Sequence, residues 1–186
     1  SPEKEIIVEA EYNARGQLLA ETLPRTRFES AREKQTMYDK LGRLEYIKTP
    51  AAGDDYEGAK ITYDGLRTVY TTHEPKQRRW KQENLRGQVE LAVDTKGNAV
   101  YHQYDPLGRL TSTHVIPASV LDVDKLYADG KLQDDFSVHF QPIRDKVAKY
   151  KTEVAYNAVG LRSSLKDPSF GLVQYSYNVF GEQIEQ

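Results

Sequence analysis

Along most of this chain hydrophobic and polar residues alternate, and short clusters of Asp or Asn followed by glycine interrupt the alternation. After Gly42, the run Arg43-Leu44-Glu45-Tyr46-Ile47-Lys48-Thr49 puts Leu44 and Tyr46 on one side of a pleat before Pro50 ends it. Arg109-Leu110-Thr111-Ser112-Thr113-His114-Val115 repeats the pattern in a more polar register. Such period-2 segments predict half-buried strands, and the interruptions predict the turns between them.

The interruptions copy one another. Tyr38-Asp39-Lys40-Leu41-Gly42-Arg43-Leu44 returns as Tyr104-Asp105-Pro106-Leu107-Gly108-Arg109-Leu110, changed only at the third position. Weaker copies begin at Tyr12-Asn13 with Gly16, Tyr156-Asn157 with Gly160 and Tyr177-Asn178 with Gly181, and a shortened one spans Tyr63-Asp64-Gly65-Leu66-Arg67. Each unit reads as a β-hairpin tip. The aromatic suits a pleated surface, and the Asp or Asn side chain bonds backbone two residues on. Pro106 presets a type I turn, and the glycine takes up the left-handed conformation that closes it. Tyrosine and leucine, as in Tyr38 with Leu44, are expected to face each other across the hairpin.

Repetition of this kind predicts a fold built by stacking one small unit. The motif tyrosines at 12, 38, 63, 104, 156 and 177 are separated by 26, 25, 41, 52 and 21 residues. Inside the first long step, Asp94-Thr95-Lys96-Gly97-Asn98 and Leu85-Arg86-Gly87-Gln88 read as tips that have lost their tyrosine. The second contains residues 115–152, read as an insertion or divergent repeat. There Ser119 is placed as an N-cap, with Val120, Leu121, Val123, Leu126 and Tyr127 forming a short helix within 115–130. Asp129-Gly130 is a turn signal, and Phe136-Ser137-Val138-His139-Phe140 alternates as a strand ahead of Pro142. The expected fold is therefore mainly β, an array of antiparallel hairpins in a twisted or spiralling sheet. Its parts are an array over 1–114, the insertion over 115–152 and a continuation over 153–186, all in one structural unit.

Composition narrows the function classes. The net charge is −2 and the sequence pI near 6.1, which gives no bulk attraction to nucleic acid or to an anionic membrane surface. The absence of cysteine removes disulfides and thiolate metal sites. No apolar run is long enough for a spanning helix, and no signal peptide is visible. A mean hydropathy of −0.72 is polar for a compact globule of 186 residues and fits an extended sheet with both faces partly wet. The chain begins Ser1-Pro2 and its single methionine is Met37, which suggests a piece of a larger protein.

The motif as it stands at 38–44 and 104–110 resembles the YD repeat of bacterial Rhs polymorphic toxins, a family related to Tc-type toxin shell components and to animal teneurins. The spans 62–110 and 153–186 also resemble that family's connecting segments, and 115–152 lies outside the resemblance. The resemblance implies a hollow β-shell whose repeats enclose a C-terminal toxin or effector domain. It also implies a secreted or cell-surface location in a bacterium. The partners it implies are the rest of the same polypeptide and secretion-system components.

Each candidate site has a plainer reading. Asp167-Pro168-Ser169-Phe170-Gly171-Leu172 superficially echoes the self-cleavage region of such shells, but its spacing is stretched and an Asp-Pro turn explains it. Histidines at 73, 102, 114 and 139 lack ligand spacing, so no metal is expected. The basic run Lys76-Gln77-Arg78-Arg79-Trp80-Lys81 makes Arg78, Arg79 and Trp80 a candidate ligand surface, although bracketing acids at Glu74 and Glu83 favour a solvated strand with Trp80 packed inward. A hydrolase working through His139 or Asp135 finds no supporting motif. No cofactor motif is present, and catalysis is not expected. The leading expectation is a scaffold in which the motif residues Tyr12, Asn13, Gly16, Tyr38, Asp39, Gly42, Arg43, Leu44, Tyr104, Asp105, Gly108, Arg109, Leu110, Tyr156, Asn157, Gly160, Tyr177, Asn178 and Gly181 serve as structural turns. Its rival is a carbohydrate-binding or adhesion module that uses the thirteen tyrosines.

Overall fold

The computed structural model describes residues 5–50, 56–72, 77–128, 131–132 and 136–185. Its main element is an antiparallel sheet of thirteen strands whose order follows the chain. The strands are β1 (Ala10–Tyr12), β2 (Leu18–Thr22), β3 (Glu33–Tyr38), β4 (Leu44–Pro50), β5 (Tyr56–Asp64), β6 (Arg67–Thr72) and β7 (Arg78–Glu83). They continue as β8 (Val89–Val93), β9 (Ala99–Tyr104), β10 (Leu110–Ile116), β11 (Lys151–Tyr156), β12 (Arg162–Asp167) and β13 (Gly171–Gln174). Short two-stranded ladders pair Ile6–Ile7 with Arg25–Thr26 and Ser176–Tyr177 with Gln183–Glu185. Each strand pairs with its chain neighbour; most are joined by short turns that leave no other pairing, while β2 with β3 and β10 with β11 pair across the longer connections 23–32 and 117–150.

The chain divides into two compact units, Ser1–Tyr63 with Thr68–Arg78, and Asp64–Arg67 with Arg79–Gln186. In the first, Ile61 and Thr22 are buried and most strand positions are only half-covered. This is the thin, wet sheet that the polar composition predicts.

In the second unit one face of the sheet is dry. Trp80, Val93, Ala99 and Ile116 are successive cross-strand partners, as are Leu91, Tyr101 and His114, and all seven are buried. The cover comes from the connection between β10 and β11, residues 117–150. It contains a single-turn 3-10 helix at Val123–Leu126, a short ladder of Tyr127–Ala128 with Lys131–Leu132, the helix α1 (Phe136–Phe140) and two further 3-10 turns at Gln141–Ile143 and Ala148–Tyr150. Phe136, Phe140, Ile143 and Val147 are all buried, and burial of each such side chain contributes about 1.5–3 kcal/mol before ordering costs. The rings of Phe136 and Phe140 each lie 4.9 Å from Tyr101, and Phe140 lies 4.6 Å from His114.

In this connection one sequence expectation is met by a shorter element and another fails. Among the described residues of 115–130 there is no α-helix: Val120 and Leu121 belong to a turn on the Pro117 carbonyl, and only the 3-10 turn at Val123–Leu126 is helical. The segment expected as a strand, 136–140, is α1 instead. Positions 136 and 140 share a face under either a period of 2 or a period of 3.6, so only Val138 distinguishes the two. Val138 is 58 % exposed, whereas Phe136 and Phe140 both bury against the sheet. Tertiary burial selected the helical solution. The turn signal at Asp129-Gly130 lies outside the described residues.

Candidate functional site: the motif turns

Among the described residues, seven five-residue turns follow one plan, beginning at Asn13, Asp39, Asn84, Asp94, Asp105, Asn157 and Asn178. In each, the N–H of the first residue bonds the carbonyl of the fifth at 2.8–3.0 Å, and the glycine N–H returns to the first residue's carbonyl at 2.8–3.1 Å. The glycine stands at φ between 75° and 88°. The first side chain completes the turn: Oδ1 of Asp39 accepts from the N–H of Leu41 and of Arg43, and Oδ1 of Asp105 does the same with Leu107 and Arg109. These bonds, led by the N–H of Arg43 and of Arg109 respectively, hold both carboxyls below the usual aspartate value. Tyr38 and Leu44 are indeed cross-strand partners, beside a bulge. The eroded tips at 84–88 and 94–98 are genuine turns of this kind, and with Glu83 in the tyrosine position the step from 63 to 104 becomes two ordinary ones.

Four of these turns pair their first and fifth side chains in one of two chemical versions, while Asp94 pairs with Asn98, Asn178 with Glu182, and Asn157 faces Leu161. In the aspartate version the second carboxylate oxygen accepts from Nε of the motif arginine, at 2.8 Å for Asp39–Arg43 and 2.7 Å for Asp105–Arg109. In the asparagine version the side-chain amide donates to a glutamine in the arginine's place, as in Asn13–Gln17 at 2.9 Å and Asn84–Gln88 at 3.1 Å. In these four turns a donor at one position faces an acceptor at the other.

Side chains then tie each turn to the next. Gln17 donates to the Gly42 carbonyl at 2.7 Å, and Gln88 donates to the Gly108 carbonyl at 2.6 Å. Arg43 lies 4.1 Å from the ring centre of Tyr63, and Arg109 lies 4.6 Å from that of Tyr156. Every later motif tyrosine reaches back to a backbone carbonyl just past the preceding turn: Tyr38 to Leu18, Tyr63 to Leu44, Tyr104 to Val89, Tyr156 to Leu110 and Tyr177 to Arg162, at 2.7–3.1 Å. The hydroxyl supplies the contact between repeats, while the ring packs within one. Sequence reasoning assigned the ring and missed the hydroxyl; the only signal was the choice of tyrosine over phenylalanine at the motif position.

Beside the turns at 84–88 and 105–109 lies a polar hollow of about 280 Å³, lined among others by Arg86, Glu90, His102 and Tyr104. Much of its polar lining is committed to the turns and the sheet. Arg86 donates to the Pro106 carbonyl at 2.6 Å, Asn84 and Gln88 bond each other and the two turns, and the Tyr104 hydroxyl is bonded to Val89.

The remaining candidates disperse. His102 and His114 lie on adjacent strands, but His102 is the cross-strand partner of Thr113 and His114 that of Tyr101, so the two point to opposite faces. Among the described residues no group of three His, Asp or Glu is placed to hold a metal ion, and no helix is long and apolar enough to cross a membrane. Arg78 and Arg79 are exposed, but Trp80 is 2 % exposed with Arg67 over its ring at 4.7 Å, so its ring face is not available to a ligand. Asp167 opens the hairpin between β12 and β13 and accepts from the N–H of Ser169 and from Thr152 Oγ1, which is turn chemistry. His73, Glu74, Lys76 and Asp135 lie outside the described residues.

No family model matches this sequence, and no curated protein matches it. Solved structures do match. A chain of the TcdB2-TccC3-Cdc42 crystal structure superposes with a TM-score of 0.55 at 12 % identity, over 97 % of this chain and 9 % of the other. The fold is one shared with Tc toxin components. A Tc holotoxin pore from Photorhabdus luminescens also matches, at a TM-score of 0.40 and 11 % identity over 97 % of this chain and 12 % of the other. This chain thus spans about a tenth of the length of the solved chains it resembles.

Proposed function

We propose that this chain is a wall segment of an Rhs-type shell, a non-enzymatic scaffold that helps to enclose a C-terminal toxin or effector domain in a secreted or surface-associated bacterial protein. One observation carries the reading: the motif's hydrogen-bonding side chains are spent on joining each hairpin to the next, so the repeated chemistry builds sheet and presents little to a ligand. The fold shared with a Tc toxin component supports it. The implied partners are further repeats and the enclosed domain of the same polypeptide, with secretion-system components acting on the assembled shell.

The test uses the full parent chain. Limited proteolysis should leave its C-terminal domain intact, and Gly108→Val, which forces a β-branched residue to a φ of +83°, should expose that domain to cleavage. A C-terminal domain cut equally in both proteins would overturn the reading. Saturable binding on a glycan array that disappears with Arg78→Ala and Arg79→Ala would replace it with the carbohydrate-binding alternative.

A further inference from the structure

His114 is a titratable side chain sealed under an aromatic lid. It is 2 % exposed, on the face of β10 covered by the segment Phe136–Tyr150, with Phe140 edge-on at 4.6 Å and Tyr101 at 6.4 Å. Its Nε2 stands 3.2 Å from Ser112 Oγ, and Ser112 gives its own proton to Gln103 Oε1 at 2.8 Å. The imidazole is therefore the donor in its contact with Ser112, and its proton sits on Nε2. Nδ1 is buried and has no hydrogen-bond partner among the described residues. A second proton could be added only there, with nothing to accept it.

The surrounding charges make that proton less welcome still. From β11, Lys151 is the direct cross-strand partner of His114, and its ammonium is bonded to Glu153, the one carboxylate among the described residues that acts on the imidazole. From the covering segment, Arg144 adds a second positive charge. Tyr101 of β9 and Phe140 of α1 contribute rings, and His139 lies beside Phe140 on that helix. Burial first, then Lys151 and Arg144, lower the His114 pKa from the usual 6.5 to about 4, with Glu153 opposing.

We propose that the segment Phe136–Tyr150 is a cap that acid loosens, its closed form favoured while His114 beneath it is neutral. The cap is attached to the sheet by apolar contacts of Phe136, Phe140, Ile143 and Val147, while β9, β10 and β11 are joined by their own backbone ladders. Lifting the cap gives His114 water and leaves those ladders in place. The sign follows from linkage: neutral His114 favours the closed form fully above pH 6.5, and this advantage is lost as the pH falls from 6.5 towards 4. At pH 5 the opening equilibrium should exceed its value at pH 7.5 by about 30-fold.

Because the chain has no cysteine, a single thiol reports on the cap. Val147 is fully buried. In Val147→Cys, labelling by a pyridyl disulfide, corrected at each pH against a free cysteine peptide, should be faster at pH 5 than at pH 7.5 by about 30-fold. Adding His114→Gln should bring that ratio close to one. No acceleration in Val147→Cys, or the same acceleration with His114→Gln, would overturn the proposal, as would loss of the far-UV strand signal at pH 5. A proton NMR titration of the unaltered chain covers the case in which either variant fails to fold. His114 should titrate near 4, and a midpoint at the ordinary value of about 6.5 would refute the sealed histidine.

Discussion

Gly108 and Gly87 occupy the same place in two neighbouring turns, yet alanine should not cost the same at each. Both stand at positive φ, +83° and +75°, where an L-residue costs about 1–2 kcal/mol. A Cβ at Gly87 would meet nothing within 4 Å, so that strain is the whole effect. A Cβ at Gly108 would come to 2.9 Å from Arg86 Nη1, which is too close. The guanidinium has to move, and it would give up its 2.6 Å bond to the Pro106 carbonyl, worth about 0.5–1.5 kcal/mol. Gly108→Ala should therefore destabilise by roughly 1.5–3.5 kcal/mol, and Gly87→Ala by about 1–2. Urea unfolding followed by Trp80, the only tryptophan and buried in the same unit, measures both. In an Arg86→Ala background the two glycine variants should become equal, because the displaced group is gone. Equal costs in the parent chain, or a difference that survives Arg86→Ala, would show that the Arg86 strap does not bind one turn to the next.

Two further outcomes test the links between repeats. Tyr104→Phe removes a hydroxyl bonded at 2.7 Å to the Val89 carbonyl and should cost about 0.5–1.5 kcal/mol in the same urea assay. Tyr12→Phe, at a ring 60 % exposed, should change nothing measurable, and equal effects at both sites would contradict the hydroxyl's role. Asp105→Asn turns an acceptor towards Arg109 into a donor and should lower the urea midpoint; adding Arg109→Gln recreates the Asn84–Gln88 pairing and should recover part of the loss. The recovery stays partial because Arg109 also covers Tyr156, and a double variant as weak as the sum of its parts would refute the two-version scheme.

The turns were legible in the residues because their chemistry is local. Asp39, Asp105 and the motif glycines act within five positions of one another, and the local order of residues carries that information. The exchange of Asp–Arg for Asn–Gln was also written there, but it acquires meaning only once the two side chains are seen to touch. The tyrosine hydroxyls could not be assigned from sequence. Tyr156 finds Leu110, 46 positions earlier in the chain, a separation that strand order and not spacing closes. The helix at 136–140 and the sealing of His114 were settled the same way. Phe-x-Val-x-Phe fits a strand and a helix equally well, and His114 in a polar strand resembles any surface histidine. By itself the sequence determined where the chain turns and that it pairs with itself in order. The tertiary structure decided which face became dry, because burial depends on residues brought together from distant segments, and that choice made a helix of 136–140 and a sealed group of His114.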